Sequence, residues 1–582
     1  MRRYSNWGFW LGMAILVLML LGLGGCSLRK TDPIRSGWSR SIMVAEVSAR
    51  EAPTIAVSGE KRWLVCSGRA DGNTALLLGQ VDAQGKVTSP IPLPITLSRP
   101  HAPRLFSTAN GLCLFFLARD VAGNNRLFMQ SLDSEGTPVG DPVPISPFEQ
   151  RLEVYDVVTC QRGFWAFWNV VDGGLWAQAL RDDHAIPQGS AILLHELGGP
   201  PSALVDQAGR LHAVWLATPD QNRRSLMYAT FPDGELTEVP VLNLWETGAS
   251  IASTFASPAL ALEEDWVYAF ISVEYRSGLK QGSSETYVTT FPIDSAAQTR
   301  TFLLSLPDRI PEDYTCCTEG LSLALLPPEG ARRPTDTLNP TTVPGQRGYA
   351  LVGVGVKMGS IEGGDIQPAL VVFHEGNLTG WSLIAKTNGL SLFPQVRQSR
   401  DGWHALWLDM LGYGEYRAYY ASTAPGERAS LDRLVPADVL NMLLIALSGI
   451  VSSIAFVPLF LMAAVPGLFL IVGHYIFGGL GNLNTWRMKT LLMVGLLPYA
   501  FLKVLLTAGV MPQVPFSQWM PSGLSHTLTV GLPFAFLGVD TLVLLVYLWR
   551  AEEPGLLPSW ALFIGMDIAL TVIVLGPLFG GA

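Results

Sequence analysis

The chain has 582 residues, of which 49% are hydrophobic and only 15% charged, a balance too apolar for a wholly soluble protein of this size. The formal net charge of −9, with no clustered run of Lys and Arg, excludes a nucleic-acid-binding surface and points to no particular partner. The apolar excess lies at the two ends; the middle is rich in Gly, Pro and Trp, as expected of many short strands joined by turns.

At the N-terminus, Arg2 and Arg3 precede an uncharged apolar run that ends at Leu23-Gly24-Gly25-Cys26. This resembles a bacterial lipobox, in which the cysteine is lipidated and becomes the mature N-terminus. The resemblance makes Cys26 the lipidation candidate and residues 1–26 a signal peptide. An uncleaved membrane anchor is the alternative, and both deliver the following residues outside the cytoplasm.

Residues 27–432 read as repeats. "GRLHAVWLATP" from Gly209 and "DGWHALWLDML" from Asp401 share His-Ala-x-Trp-Leu, and the likeness extends beyond those five positions. His212 is followed by Tyr228-Ala229-Thr230, and His404, at the same offset, by Tyr420-Ala421-Ser422. Each unit reads as a meander: a short alternating strand, a turn such as "DQAG" or "SRDG", a strand rich in aromatics, and a third strand. Looser versions begin near Thr54, Pro103, Val154, Pro258 and Gly320, the last with "GLSLALLPP" as its first strand and a Pro-rich interruption. That makes about seven units, with six and eight as the neighbouring counts, at a period of roughly 45–55 residues, which suits propeller blades.

The pattern of proline, short strand, Asp-x-x-Gly, a strand ending His-Ala-x-Trp, then Tyr-Ala-Ser/Thr resembles the blades of sialidase-like (BNR-type) β-propellers. What the resemblance implies is an all-β propeller and, where the family's chemistry is retained, glycan cleavage by an arginine cluster, a Tyr–Glu pair and an acidic general acid. The sequence departs from that pattern. Arg309-Ile310-Pro311 stands late in the chain, and Ser131-Leu132-Asp133-Ser134-Glu135-Gly136 is a degraded Asp-box without its Trp. No complete catalytic constellation is found, so the reading leans away from an enzyme. His212 shares a strand face with Val214 and Leu216 and is expected to pack between blades, as is His404; Trp215 and Trp407 point to the other, core face. No zinc-type spacing, dinucleotide fingerprint or P-loop is present, and no cofactor is expected.

The last unit, at Pro394, reaches Gly426 with three strands and no fourth. "GWSRSIMVAEVSA", residues 37–49, precedes the first unit and alternates like a strand. An open ring would leave an unpaired edge, so residues 41–48 are expected to form the outer strand of the last blade. Of the remaining cysteines, the adjacent Cys316 and Cys317 are the candidates for disulfide pairing out of their loop, with two unpaired thiols as the alternative; Cys66, Cys113 and Cys160 complete an odd set.

From residue 433 to 582 the chain is apolar, and an all-α bundle of four membrane-spanning helices is predicted. Arg487, Lys489 and Arg550 mark cytoplasmic ends by the positive-inside rule, and the Pro-rich loop 512–524, which lacks Lys and Arg, is external. This requires one crossing between 438 and 480, not a hairpin at Pro466-Gly467. Lys503, Asp540 and Asp567 stand inside apolar spans. Such charges mark either a proton or ion site or an internal pair that holds helices together. The whole reads as a multi-pass protein of a bacterial cytoplasmic membrane, with an extracytoplasmic propeller for recognition or scaffolding. Expected partners are membrane lipid and an extracellular glycan or protein, with no nucleic acid. A sialidase-like hydrolase, or a transport or signalling component working through the bundle, is the alternative.

Overall fold

The computed structural model describes residues 37–433 apart from 48–49, 148–149, 172, 182–185, 232–240, 250–251, 296–297, 308–313, 319–320, 327–335, 345–347, 359–365, 388 and 413; it also describes 440, 454 and 457–579 apart from 480 and 511–521. Cys26, Arg309-Ile310-Pro311 and most of loop 512–524 lie outside the described residues, as do the side chains of Cys316 and Cys317. The chain divides into two compact units, one holding residues 29–433 and the other 434–582 together with the N-terminal 28 residues.

The first unit is a seven-bladed β-propeller. Its seven sheets follow chain order as blades 1 (54–92), 2 (98–144), 3 (152–195), 4 (198–248), 5 (253–303), 6 (315–383) and 7 (390–422). The turns that make this possible are written in the sequence. Asp82, Asp120, Asp133 and Asp206 each open an Asp-x-x-Gly turn. Each carboxylate Oδ1 accepts the backbone N–H four residues on, at 2.8–3.0 Å. The glycines of these turns, Gly85, Gly123, Gly136 and Gly209, take φ of 76–85°, which a side chain would strain.

Each blade buries both faces against its neighbours, so the core is seven apolar layers. The alternation along one strand distributes its residues between two layers: Ala213 and Trp215 pack towards blade 3, Val214 and Leu216 towards blade 5. The seventh layer joins blade 7 to blade 1 through Val44, Ile55, Leu64, Leu406 and Tyr420, which closes the ring. Blade 7 takes its outer strand from the other end of the unit. Ile42–Val47 runs antiparallel to Glu415–Ser422, with Ile42 opposite Tyr420 and Val47 opposite Tyr416. After blade 7 the chain forms a short helix α1, Pro425–Leu431.

Blade 6 differs from the sequence expectation. "GLSLALLPP" is not its inner strand. Leu321–Leu325 pairs outside Asn377–Leu383, Thr315–Thr318 pairs outside that, and the inner strand is Thr337–Val343. Cys316 and Cys317 thus lie in an edge strand, not in a loop. Thr337–Val343 falls within the Pro-rich interruption, and its Pro340 is tolerated on an inner edge, where its missing N–H has no ladder partner to lose.

Two glycines set the distance between blades where a turn meets an indole. A Cβ on Gly376 would lie 2.5 Å from the Trp266 ring, and one on Gly136 would lie 2.7 Å from Trp63. Gly376 also has φ of 77°. Gly376→Ala is therefore expected to destabilise the propeller by about 1–3 kcal/mol, combining overpacking with αL strain. A shift in the chemical-denaturation midpoint would report it, and an unchanged midpoint would show that the blade 5–6 contact yields freely.

The second unit contains four long helices among its described residues: α2 (Val457–Gly478), α3 (Trp486–Val510), α4 (Ser522–Arg550) and α5 (Leu556–Phe579). Helix α2 passes through Pro466 without turning back. By length and composition one segment, Phe460–Gly478, is apolar enough to cross a membrane; Leu556–Val572 is apolar but shorter. Arg487, Lys489 and Lys503 lower the mean hydropathy of α3. Helices α2 and α3 meet closely at Gly467 and Gly495, where a Cβ on Gly467 would collide with the Gly495 carbonyl oxygen. The α2–α3 and α4–α5 connections are tied together. Leu483 N–H donates to the Pro554 carbonyl at 2.9 Å, and Leu556 N–H donates to that of Gly481 at 2.8 Å. Arg487, Lys489 and Arg550 consequently stand at one end of this unit.

Candidate functional site

The repeated His-Ala-x-Trp builds a buried polar knot, and the two copies are wired differently. In blade 7, His404 is fully buried. Its Nε2 lies 3.0 Å from Arg62 Nε and 2.8 Å from Ser399 Oγ. A guanidinium can only donate, so Nε2 is the acceptor and the imidazole is the neutral Nδ1–H tautomer. Nδ1 faces Tyr420 OH at 2.7 Å, and Tyr420 donates onward to Glu427 of α1 at 2.5 Å. Arg62 comes from blade 1, is 1% exposed, and reaches both Asp401 oxygens at 2.9 Å and Glu427 at 3.3 Å. This one arginine ties blade 1 to blade 7 and to the exit helix.

In blade 4 a carboxylate stands in the place of the arginine. His212 Nε2 lies 3.2 Å from Asp206, which only accepts, so here Nε2 carries the proton. Nδ1 faces Tyr228 OH at 2.7 Å and Thr230 Oγ1 at 2.8 Å. Both histidines are blade-packing groups with every ring nitrogen satisfied inside the fold.

Burial holds the His212 and His404 imidazoles below their ordinary value, partly offset by Asp206 and Glu427. Burial alone would raise the Glu427 carboxyl, but hydrogen bonds with His404, Tyr420 and Ser422 hold it below the usual range. A histidine with a depressed folded pKa contributes stability that is complete above its unfolded value, about 6.5, and is lost as pH falls below it. The carboxylates add a further loss in the acid range. His374, raised by Glu263, runs the other way but is half exposed. The propeller's unfolding free energy is therefore expected to hold from pH 8 to 7 and to fall below about pH 6.5, by up to about 1.4 kcal/mol per pH unit for each histidine, with the melting temperature falling in the same range. A flat profile down to pH 5.5 would contradict the neutral assignment.

The inner strands, which face the propeller axis, carry further ionisable groups. Asp156, Arg397 and Glu51, which precedes the first inner strand, each have a partner across a blade boundary. Asp156 accepts the Ala203 N–H at 2.9 Å and faces Arg104 at 3.8 Å; Glu51 accepts Ser67 Oγ at 2.6 Å and the Ala102 N–H at 2.8 Å. Arg397 donates to the Thr342 carbonyl of blade 6 at 3.4 Å and to that of its neighbour Val396 at 2.9 Å, and burial lowers its pKa to about 10. Thr54 accepts the Leu105 N–H at 3.1 Å, and Thr342 donates to the Leu260 carbonyl at 2.8 Å. An inner strand is an edge with backbone groups left over, and side chains of the next blade take them up. Arg104 and Arg397 balance Glu51 and Asp156 in charge, and both of these carboxylates are occupied in holding blades together.

The helical unit holds the second cluster. Lys503 on α3, Asp540 on α4 and Asp567 on α5 are 0%, 1% and 0% exposed. Lys503 pairs with Asp567, and Tyr499, one turn before Lys503, donates to the other Asp567 oxygen. The Phe536 ring centroid is 5.2 Å from the ammonium. Asp540 lies within electrostatic reach of both Lys503 and Asp567. Sequence reasoning named these three charges because lone charges stand out in apolar runs. It missed Tyr499, whose polar tip leaves no trace in a hydrophobic pattern, and Arg62, whose signal was present: it stands on a strand with Leu64 and Cys66 on the same buried face.

Among the described residues no group of three or more His, Cys, Asp or Glu could hold a metal ion. Cys66 and Cys160 are free thiols. No family model matches the chain, and no curated protein matches it in sequence. Solved structures similar to it include the polysaccharide lyase Uly1, at 10% identity over 65% of this chain and 90% of that one, with a TM-score of 0.42. The Kuenenia stuttgartiensis hydrazine synthase is 12% identical over 62% and 95%, with a TM-score of 0.36. The GH43 endo-arabinanase from Bacillus licheniformis is 11% identical over 50% and 98%, with a TM-score of 0.26. At 10–12% identity the named activities belong to those proteins, and the family of this chain stays unassigned.

Proposed function

We propose that the chain is a membrane-anchored protein whose β-propeller acts outside the cytoplasm as a recognition or scaffold module for an extracellular glycan or protein, held by a multi-pass helical domain. The observation that carries this reading is the inverted polarity of the helical unit. Phe469, Phe477, Trp486 and Trp549 are 73%, 91%, 80% and 83% exposed, while Lys503, Asp540 and Asp567 are buried. An apolar surface of this extent around a charged interior suits lipid as solvent and is unsuited to water. The propeller supports recognition over catalysis because Glu51 and Asp156, the two carboxylates held at blade boundaries, are committed to backbone N–H groups of adjacent blades.

The pairing of the α2–α3 and α4–α5 connections supports one topology, in which Arg487, Lys489 and Arg550 share the cytoplasmic face. With a membrane-impermeant maleimide on intact cells, Asn484→Cys is expected to stay unlabelled above the wild-type background and Ser517→Cys to react. Labelling at Asn484 from outside would overturn the topology. Incubating the purified chain with a glycan panel distinguishes the propeller's roles: retention without cleavage agrees with recognition, and turnover of any member would show an enzyme.

A further inference from the structure

The buried charges of the helical unit do not cancel. Lys503 supplies one positive charge, and Asp540 and Asp567 supply two negative ones if both are ionised. Lys503 is committed to Asp567, which also takes the Tyr499 hydroxyl. Asp540 adjoins both members of the pair, yet among the described residues neither of its oxygens receives a hydrogen bond, and the residue is 1% exposed. An ionised carboxylate there would be an uncompensated charge in an apolar interior, with no donor to replace the water it has lost.

Among the described residues three helices carry the side chains of the cluster. Helix α3 contributes Tyr499 and Lys503, α4 contributes Asp540 and the Phe536 ring, and α5 contributes Asp567 together with Thr571, whose hydroxyl is bonded to the Asp567 carbonyl. The titratable groups of α2, His474 and Tyr475, lie beyond the Gly467–Gly495 crossing, on the opposite side from Lys503. No second cation answers the second carboxylate among the described residues, and the adjacent ammonium repels a metal ion from that place.

We infer that Asp540 is a proton-binding site that holds its proton at neutral pH and shares it with Asp567, which makes Lys503, Asp540 and Asp567 a proton-loading centre of the membrane unit. The step is simple in its balance. A carboxylate and a proton give a carboxylic acid, no electrons move, and the proton returns to water on release. Once loaded, the Asp540 O–H has an acceptor in the Asp567 carboxylate, and the three groups sum to zero charge. Two carboxyls sharing one proton beside a cation is a stable arrangement for this environment; two carboxylates are not.

The inference rests on the helical unit being membrane-embedded, and its test is separable from that reading. The full chain in lipid nanodiscs is treated with dicyclohexylcarbodiimide, which enters apolar regions and adds to protonated carboxyls, and the adducts are mapped by peptide mass. Asp540 is expected to be labelled at neutral pH, with labelling falling about tenfold per pH unit once past its midpoint. Asp540→Asn, which mimics the neutral acid, is expected to abolish the adduct and move the melting temperature by less than about 2 °C. Asp567→Asn, which strands Lys503, should lower it by more than about 5 °C. An inserted, folded chain with Asp540 unreactive would overturn the inference. So would protection by sodium, which would make the occupant a metal cation, or an Asp540→Asn penalty as large as that of Asp567→Asn, which would mean the residue is ionised. Failure of the membrane reading would appear instead as a chain that fractionates as soluble and does not insert into nanodiscs.

Discussion

Replacing Arg62 with methionine should lower the unfolding free energy of the propeller by about 3–5 kcal/mol, the range for removing one partner from a buried ion pair. Methionine fills much of the volume, so the loss is electrostatic. Glu427 is fully buried and loses its cation, and His404 loses the donor that fixes its tautomer. Asp401 matters less. Its side chain is 48% exposed, so Asp401→Asn alone is expected to cost under about 1 kcal/mol, the range of a solvent-screened pair. The double variant Arg62→Met with Glu427→Gln should recover part of the loss, because the orphaned carboxylate is gone too. Chemical denaturation of the three variants tests this. A loss below about 1 kcal/mol for Arg62→Met would show that blade 1 and blade 7 are held by apolar contact alone.

The arginine also shows where reading the sequence stops. Blade number, hairpin turns and the alternating faces of strands are local properties, set by residues within a few positions of one another. The Asp-x-x-Gly turns therefore stand in the sequence much as they stand in the fold, and His212 and His404 sit on the face that their strand period assigns to them. The partner of Arg62 is not local. His404 is 342 residues away, and no spacing rule connects a charge on the second strand of one blade to a tautomer on the last. The same limit explains blade 6. "GLSLALLPP" alternates better than "TLNPTTV", and its strand exists, but which strand lies at the axis depends on what packs beside it. In the helical unit the sequence shows that Lys503, Asp540 and Asp567 are out of place in apolar runs; that Asp567 holds the lysine is decided by helix packing.

Deleting residues 37–48 from the full chain should have the largest effect of all, loss of the folded propeller instead of a trimmed tail. Three kinds of interaction go at once. The strand Ile42–Val47 leaves the Glu415–Ser422 edge unpaired, an open template for association with other chains. Trp38, Val44 and Val47, 1%, 7% and 7% exposed, withdraw from the layers between blades 6, 7 and 1, at about 1.5–3 kcal/mol for each large apolar side chain. The segment's polar ties also disappear: Ser39 N–H to the Ser422 carbonyl at 2.7 Å, Ser422 N–H to Ser39 Oγ at 3.0 Å, and Arg40 N–H to Asp432 at 2.8 Å. Together these approach the roughly 5–15 kcal/mol that hold a domain folded, and they fall on the one blade whose strands come from both ends of the unit. Limited proteolysis should then cut throughout residues 50–433 in the deletion, where the intact chain is cut only at exposed loops. Val44→Asp, which leaves the backbone pairing in place but puts a charge between blades, should give a milder version of the same pattern. A deleted chain with unchanged protease resistance would mean that blade 7 stands on three strands, and that its ring is closed by the Arg62 knot and the apolar faces of Leu406 and Tyr420 without the N-terminal strand.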